Sequence, residues 1–269
     1  MNSMPPSLDT LLKFYHSSYR FVYKANPGNA GDGVIASGTY DFFERNAIEY
    51  EPYRNNQNYN ANEDILIFGG GGNLIEGLYS EGRDFILEQI PNFHKVIIMP
   101  STIKGYESLF QENKDKLIVF CREKTTFNYI QSLGYMVNDN VYITDDMAFY
   151  LDLNKYLSLK KESKEYVNCY RTDSESLTSV YRENNHDISL TWNGDYWDNE
   201  FLARNSTRCM VTFLEEFKSV NTDRLHVAIL ASLLGKEVNF YPNSYYKNKA
   251  VYDYSLLNRY PKTFFMAMS

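Results

Sequence analysis

Short, nearly continuous apolar runs inside residues 63–68, 95–99 and 116–120 constrain this chain more than any other feature of it. Each has the length of a strand, and none alternates apolar with polar as a strand with one wet face would. Segments of helical spacing separate them, at residues 83–90 and 125–133, the second closed by Gly134. Buried strands alternating with helices require a parallel sheet covered on both faces. The pattern starts earlier, with a strand at 21–23, a turn cluster at 26–33 and a helix at 34–45, and it ends in a strand at 141–143. Pro100 is expected to break the strand at 95–99, because proline donates nothing to a ladder.

Between residues 151 and 164 the pattern lapses into polar, Lys/Glu-rich sequence. A second alternation follows: strand 166–170, helix 174–183, strand 188–191, helical character over 200–217, an apolar helix at 227–234 and a strand at 237–241. The expected class is therefore α/β, with two Rossmann-like lobes facing a cleft. Residues 1–152 form the N-terminal lobe and 153–269 the C-terminal lobe. Ligands of such sheets sit outside the carboxyl ends of the strands.

Composition narrows the partners. With 27 Lys+Arg against 34 Asp+Glu, the net charge of −7 argues against nucleic acid, which favours a basic surface. Cys121, Cys169 and Cys209 lie far apart without a CxxC spacing, which fits a reducing compartment and gives no metal motif. The first 25 residues lack the apolar core of a secretory signal, and no run reaches the length of a membrane span. A cytoplasmic protein is expected, and the sequon Asn205-Ser206-Thr207 reads as chance.

The chemistry-bearing residues fall at strand ends. In Thr222-Asp223-Arg224-Leu225-His226, an Arg and a His stand two apart where a helix begins, so that their donors and the backbone N–H groups suit a small anion, the alternative being a surface Arg with a packed His. Gly28-Asn29-Ala30-Gly31-Asp32 joins a strand to a helix. Its glycines admit close approach to the backbone, while Asn29 and Asp32 suit sugar hydroxyls, and Asp32 is also a candidate base or helix cap. Gly69 to Gly72 is a second glycine-rich strand end whose cause is either a ligand or a tightly packed turn. Gly71, Asn73 and Glu76 are its candidate acceptor contacts. Arg122 and Arg171 end strands and, with Arg224, make a guanidinium set suited to carboxylate and phosphate. The alternative for Arg122 is an ion pair with Glu123 or another acid. Asp145-Asp146 reads as loop capping, since adjacent strand residues point to opposite faces and make a poor metal site.

Five elements in order resemble the polysaccharide pyruvyl transferases: Gly28 to Asp32, Gly69 to Gly72, Arg122 to Thr126, Asp146-Met147-Ala148-Phe149, and Thr222 to His226. The similarity spans residues 25–245, with Glu123 where Asp is usual and Met147 where Pro is usual. The resemblance implies a GT-B-like fold and transfer of pyruvate from phosphoenolpyruvate onto a sugar diol as a cyclic ketal. It implies donor binding by Arg224, Leu225 and His226, with an Arg of the first lobe, for which Arg122 is the candidate. His226 is then the candidate acid for C3 of the donor and Asp32 the candidate base. Arg171 is placed with the donor set, and Asn29, Gly71, Asn73 and Glu76 with the acceptor.

On this reading no cofactor or metal is needed. The partners are phosphoenolpyruvate and a sugar or lipid-linked oligosaccharide, the 4,6-diol of galactose first among them. If the acceptor is lipid-linked, the aromatic, weakly basic residues 11–24 and 262–266 are where a peripheral contact with the inner face of the membrane is expected, with packing as their default role. The competing readings are a nucleotide-sugar glycosyltransferase of the same fold and a carbohydrate-binding scaffold without catalysis.

Overall fold

The computed structural model describes residues 7–158, 162–177 and 184–267. In chain order its elements are α1 (Leu8–His16), β1 (Arg20–Lys24), β2 (Gly28–Asn29), α2 (Ala30–Asn46), β3 (Glu51–Pro52), β4 (Asp64–Phe68), β5 (Gly71–Ile75), α3 (Glu81–Gln89), β6 (Lys95–Lys104), α4 (Glu107–Glu112), β7 (Leu117–Cys121), α5 (Lys124–Ser132) and β8 (Val141–Ile143). There follow β9 (Lys164–Cys169), β10 (Asn193–Gly194), α6 (Glu200–Glu215), β11 (Phe217–Thr222), α7 (Leu225–Leu233), β12 (Glu237–Phe240), α8 (Lys247–Val251) and β13 (Thr263–Phe265).

Two compact units result. The first comprises Met1–Asn26 and Thr39–Met147, the second Pro27–Gly38 and Ala148–Ser269. The division differs from the contiguous one expected at 152/153, because the Gly28 to Asp32 turn and the start of α2 belong to the second unit. The cause is packing: Ala30 and Val34 are fully buried in the same apolar cluster as Val211, Leu225 and Ala228.

In the first unit the strand order is β3-β1-β4-β6-β7-β8, with β5 also on β6, and every pair is parallel. All residues of β4 and β7 are buried, as their nearly continuous apolar sequence predicts. Strand β6 does not stop at Pro100. It pairs with β4 up to Ile98 and with β5 from Ser101 onward, and its register on β7 shifts between those two residues. The proline thus falls where no regular ladder bond is asked of it. The glycine run sits at the same handover. A Cβ on Gly69 would stand 2.6 Å from the Asn26 backbone nitrogen, and one on Gly70 would stand 2.5 Å from the Pro100 carbonyl oxygen. Crowded backbone, rather than a ligand, accounts for these two glycines.

The second unit carries a parallel sheet in the order β13-β12-β11-β9. Its strand β11 was not foreseen, for a visible reason. Its sequence, FKSVNT, is mostly polar, and Asn221 donates to Asn168 at 2.9 Å and accepts from Asn239 at 2.8 Å. A ladder of asparagine amides replaces apolar packing on that face. Helix α7 is apolar nearly all round and buried, as a central helix must be. Residues 188–191, expected as a strand, form a 3-10 turn. Of the helix expected over 174–183, residues 174–177 form turns instead, and 178–183 lie outside the described residues. The aromatic segments at 11–24 and 262–266 contribute α1, β1 and β13 to packed structure. No helix among the described residues is long and apolar enough to cross a membrane.

Candidate active site

The best-formed constellation lies wholly in the second unit, where the starts of α2 and α7 meet. Strand β11 ends at Thr222, whose hydroxyl donates to the Cys169 carbonyl at 2.6 Å and accepts the Arg224 backbone N–H at 2.9 Å. Arg224 is the N-cap residue of α7 in extended conformation, and His226 stands half-buried in the first turn. Across from it, Asn29 opens α2 by accepting the Gly31 backbone N–H at 2.8 Å. The capping bond is therefore made by Asn29, and Asp32 stands in the first turn of α2. Strand β2 is held by antiparallel pairing with β10 and by Trp197, whose indole N–H donates to the Gly28 carbonyl at 3.1 Å.

Both end glycines of the Gly28 to Gly31 segment are sterically required. A Cβ on Gly31 would lie 2.6 Å from His226 Nδ1. Gly28 has φ of 145°, and a Cβ there would collide with the Asp32 carboxylate. The turn thus seats an imidazole and a carboxylate on one short segment of backbone. Because Gly31 touches His226, two helix N-termini open beside each other, each with a positive dipole end. Two such ends attract an anion more than either alone.

The arginines differ from expectation. Arg224 is buried and makes a two-pronged pair with Asp187, from Nε at 2.8 Å and Nη2 at 2.6 Å, plus a contact from Nη1 to Asp173 at 2.7 Å. Arg171 is also buried and binds Asp173 at 2.8 Å and Glu175 at 3.0 Å, while Lys247 reaches Glu175 at 2.7 Å. Burial works against the charge on Arg171, but Asp173 and Glu175 outweigh it and hold the guanidinium firmly protonated. Burial likewise pushes Asp173 up, yet hydrogen bonding and charge from Arg171, with the charge of Arg224, bring it below the ordinary carboxylate range. Asp223, which accepts the Arg171 backbone N–H at 2.7 Å, is raised by burial. These arginines form an internally neutralised network rather than an open guanidinium set. Leu225 points into the apolar core and is 4% exposed, so its contribution to a ligand is confined to its backbone.

In the first unit, Arg122 is buried too, at 1% exposure. It donates to Asp146 at 2.7 Å and to the Thr102 hydroxyl at 2.9 Å. Glu123 caps α5 by accepting the Thr126 backbone N–H at 2.9 Å, and the Thr126 hydroxyl donates to it as well. Arg122, Glu123, Thr126 and Asp146, which carry two of the five motifs, are therefore one buried scaffold. Asn73 donates to Asn26 at 3.0 Å, and Asn26 donates to the Gly70 carbonyl at 3.0 Å. Gly71 starts β5 with φ of 139°, and exposed Glu76 lies over Gly105. The structure thus gathers Asn29, Asp32, Arg224 and His226 in the second unit and Gly71, Asn73, Glu76 and Arg122 in the first.

Sequence reasoning missed Trp197, the indole that clamps the turn. It is one of only two tryptophans in the chain, which was the available signal.

Comparison with known proteins gives the family. The chain is 74% identical to a functionally uncharacterised protein of Klebsiella pneumoniae of known crystal structure, over 100% of both chains, with a TM-score of 0.94. It is 25% identical to EpsO of Bacillus subtilis strain 168, a provisionally assigned pyruvyl transferase, covering 98% of this chain and 93% of that one. The sequence pattern of polysaccharide pyruvyl transferases matches residues 29–245, from Asn29 in the turn to beyond His226, and the chain belongs to that family of transferases.

Proposed function

We propose that this enzyme transfers the pyruvyl group of phosphoenolpyruvate to a sugar diol, forming a cyclic ketal during polysaccharide synthesis. The observation that supports this reading is the contact of His226 with Gly31, which brings an imidazole, the Asp32 turn and two helix N-termini into one place. The donor carries a phosphate and a carboxylate, and paired helix ends offer positive potential to both. Asn29 and Asp32, expected on the acceptor side, are reassigned on this reading to the neighbourhood of the donor.

The reaction needs a proton on C3 of the enol, which makes C2 electrophilic. His226 supplies it from the imidazole that lies against Gly31. One sugar hydroxyl adds to C2 and gives its proton to Asp32. The second hydroxyl then displaces phosphate and closes the ring. The two hydroxyl protons end, in net terms, on the new methyl group and on the released phosphate. Arg224 acts at one remove. Locked by Asp187 and Asp173, it fixes the start of α7 beside the donor.

The test is release of inorganic phosphate from phosphoenolpyruvate across a panel of galactosides, glucosides and N-acetylmannosaminides. The expected result is phosphate release that depends on one sugar with a free diol. A protein stabilised thermally by nucleoside diphosphates and not by phosphoenolpyruvate would favour a glycosyltransferase instead.

A further inference from the structure

Next to the turn, the second unit has an unexpected surface. Trp192 and Tyr196 are 50% and 46% exposed, large aromatic rings that a solvated loop would not ordinarily display side by side. They stand edge to face with centroids 6.2 Å apart. With Trp197, Leu202, Asn205, Ser206 and Cys209 they line a pocket of about 110 Å³. Both tryptophans of the chain are in this wall.

Two details show what such a pocket would take. The Ser206 hydroxyl is buried and has no hydrogen-bond partner among the described residues. Asn205 uses its oxygen to accept from Arg208 at 2.8 Å, which leaves the donors of its amide nitrogen. An apolar occupant would leave the Ser206 hydroxyl, already closed to solvent, without a partner. A sugar ring has an apolar C–H face for the aromatic rings and a rim of hydroxyls for Ser206 and Asn205. The pocket is also tied to the turn. Asn193 and Gly194 of β10 pair with Asn29 and Gly28, and the Trp197 ring lies against Gly33, where a Cβ would meet it at 3.0 Å. Gly194 in turn carries the Tyr196 ring, which a Cβ there would strike at 2.5 Å.

We infer that Trp192, Tyr196, Asn205 and Ser206 form a carbohydrate subsite that holds a sugar ring of the acceptor beside the Gly28 to Asp32 turn. That the bound sugar is the acceptor rests on the function proposed above; that the pocket binds carbohydrate does not. The subsite lies in the unit that carries His226 and is built from residues other than Gly71, Asn73 and Glu76.

Cys209 makes the pocket testable without any turnover. It is the exposed cysteine, and Cys121 and Cys169 are buried, so N-ethylmaleimide should label Cys209 selectively in the native protein. Methyl galactoside, methyl glucoside and their disaccharides should slow this labelling and change tryptophan fluorescence, in the absence of phosphoenolpyruvate. Trp192→Ala, at an exposed position, should weaken protection by about tenfold while Trp192→Phe retains most of it. In turnover, Trp192→Ala should raise the acceptor KM and leave the donor KM unchanged. Protection by sugars in a protein that shows no pyruvyl transfer would uphold the subsite and refute the function. Transfer activity with no protection by any of these sugars, or with an acceptor KM indifferent to Trp192→Ala, would overturn the subsite. So would protection by decanol in place of sugars, which would make the pocket a site for an apolar chain.

Discussion

Gly31 and His226 touch so closely that a single added methyl group would stand 2.6 Å from the imidazole Nδ1. Gly31→Ala therefore forces the ring or the turn to move. Displacement of a catalytic group by about 1 Å costs about 10²-fold in turnover, and that loss is expected here in a protein that remains folded. In a His226→Gln background the same substitution should add little, because both act through one imidazole. Additive losses in kcat for the double variant would separate the glycine from the histidine.

Arg224→Ala should do two things. Donor affinity should fall, because the start of α7 loses the side chain that anchors it. The fold should also lose about 3–5 kcal/mol, because Asp187 would lose its guanidinium partner and Asp173 one of its two. The second effect was not expected from the sequence, where Arg224 reads as an open ligand. Denaturant titration beside donor titration distinguishes them. A variant of parental stability would contradict the buried network.

Arg122 and Asp146 should behave as scaffold. Replacing Arg122 with Met removes the guanidinium partner of a carboxylate that is 0% exposed, and a loss of about 3–5 kcal/mol is expected. Adding Asp146→Leu should recover much of it, with a donor KM near that of the parent protein. A double variant that is stable yet unable to bind phosphoenolpyruvate would return Arg122 to the donor site.

The sequence showed the alternation of strands and helices because buried parallel strands are nearly continuously apolar, as β7 is throughout and β4 is after Asp64. It hid β11, whose Asn221 satisfies its face by amide ladder rather than by apolar contact. It misjudged Pro100, because β6 changes partner at that residue and asks no regular ladder bond of it. At the site, Thr222 to His226 was legible from helix-start chemistry. The partnership of His226 with Gly31 was not, since residues 27–38 join a unit whose other residues begin at Ala148. The carboxylates that neutralise Arg171 and Arg224 come from loops with no periodicity to read.

Stability should depend on pH through His94, which stacks on Tyr19 at 4.3 Å. Partial burial, with the charges of Lys95 and Lys116, brings its pKa below the ordinary 6.5. The folded protein then resists protonation where the unfolded chain accepts it. The His94 contribution is complete above pH 6.5 and declines as pH falls from there to the folded value. Between pH 7.5 and 5.5, His94→Gln should lose less stability than the parent in urea titrations. Equal losses would show that His94 is not the group responsible.

The central claim is proton delivery to the enol carbon at His226. The most direct measurement is the reaction with phosphoenolpyruvate and its sugar acceptor in D₂O, with the product read by NMR and mass. The account predicts one deuterium in the ketal methyl group, and a fall of about 10²- to 10⁴-fold in turnover for His226→Gln with donor binding retained. A methyl group free of solvent deuterium, or near-normal turnover in His226→Gln, would contradict it.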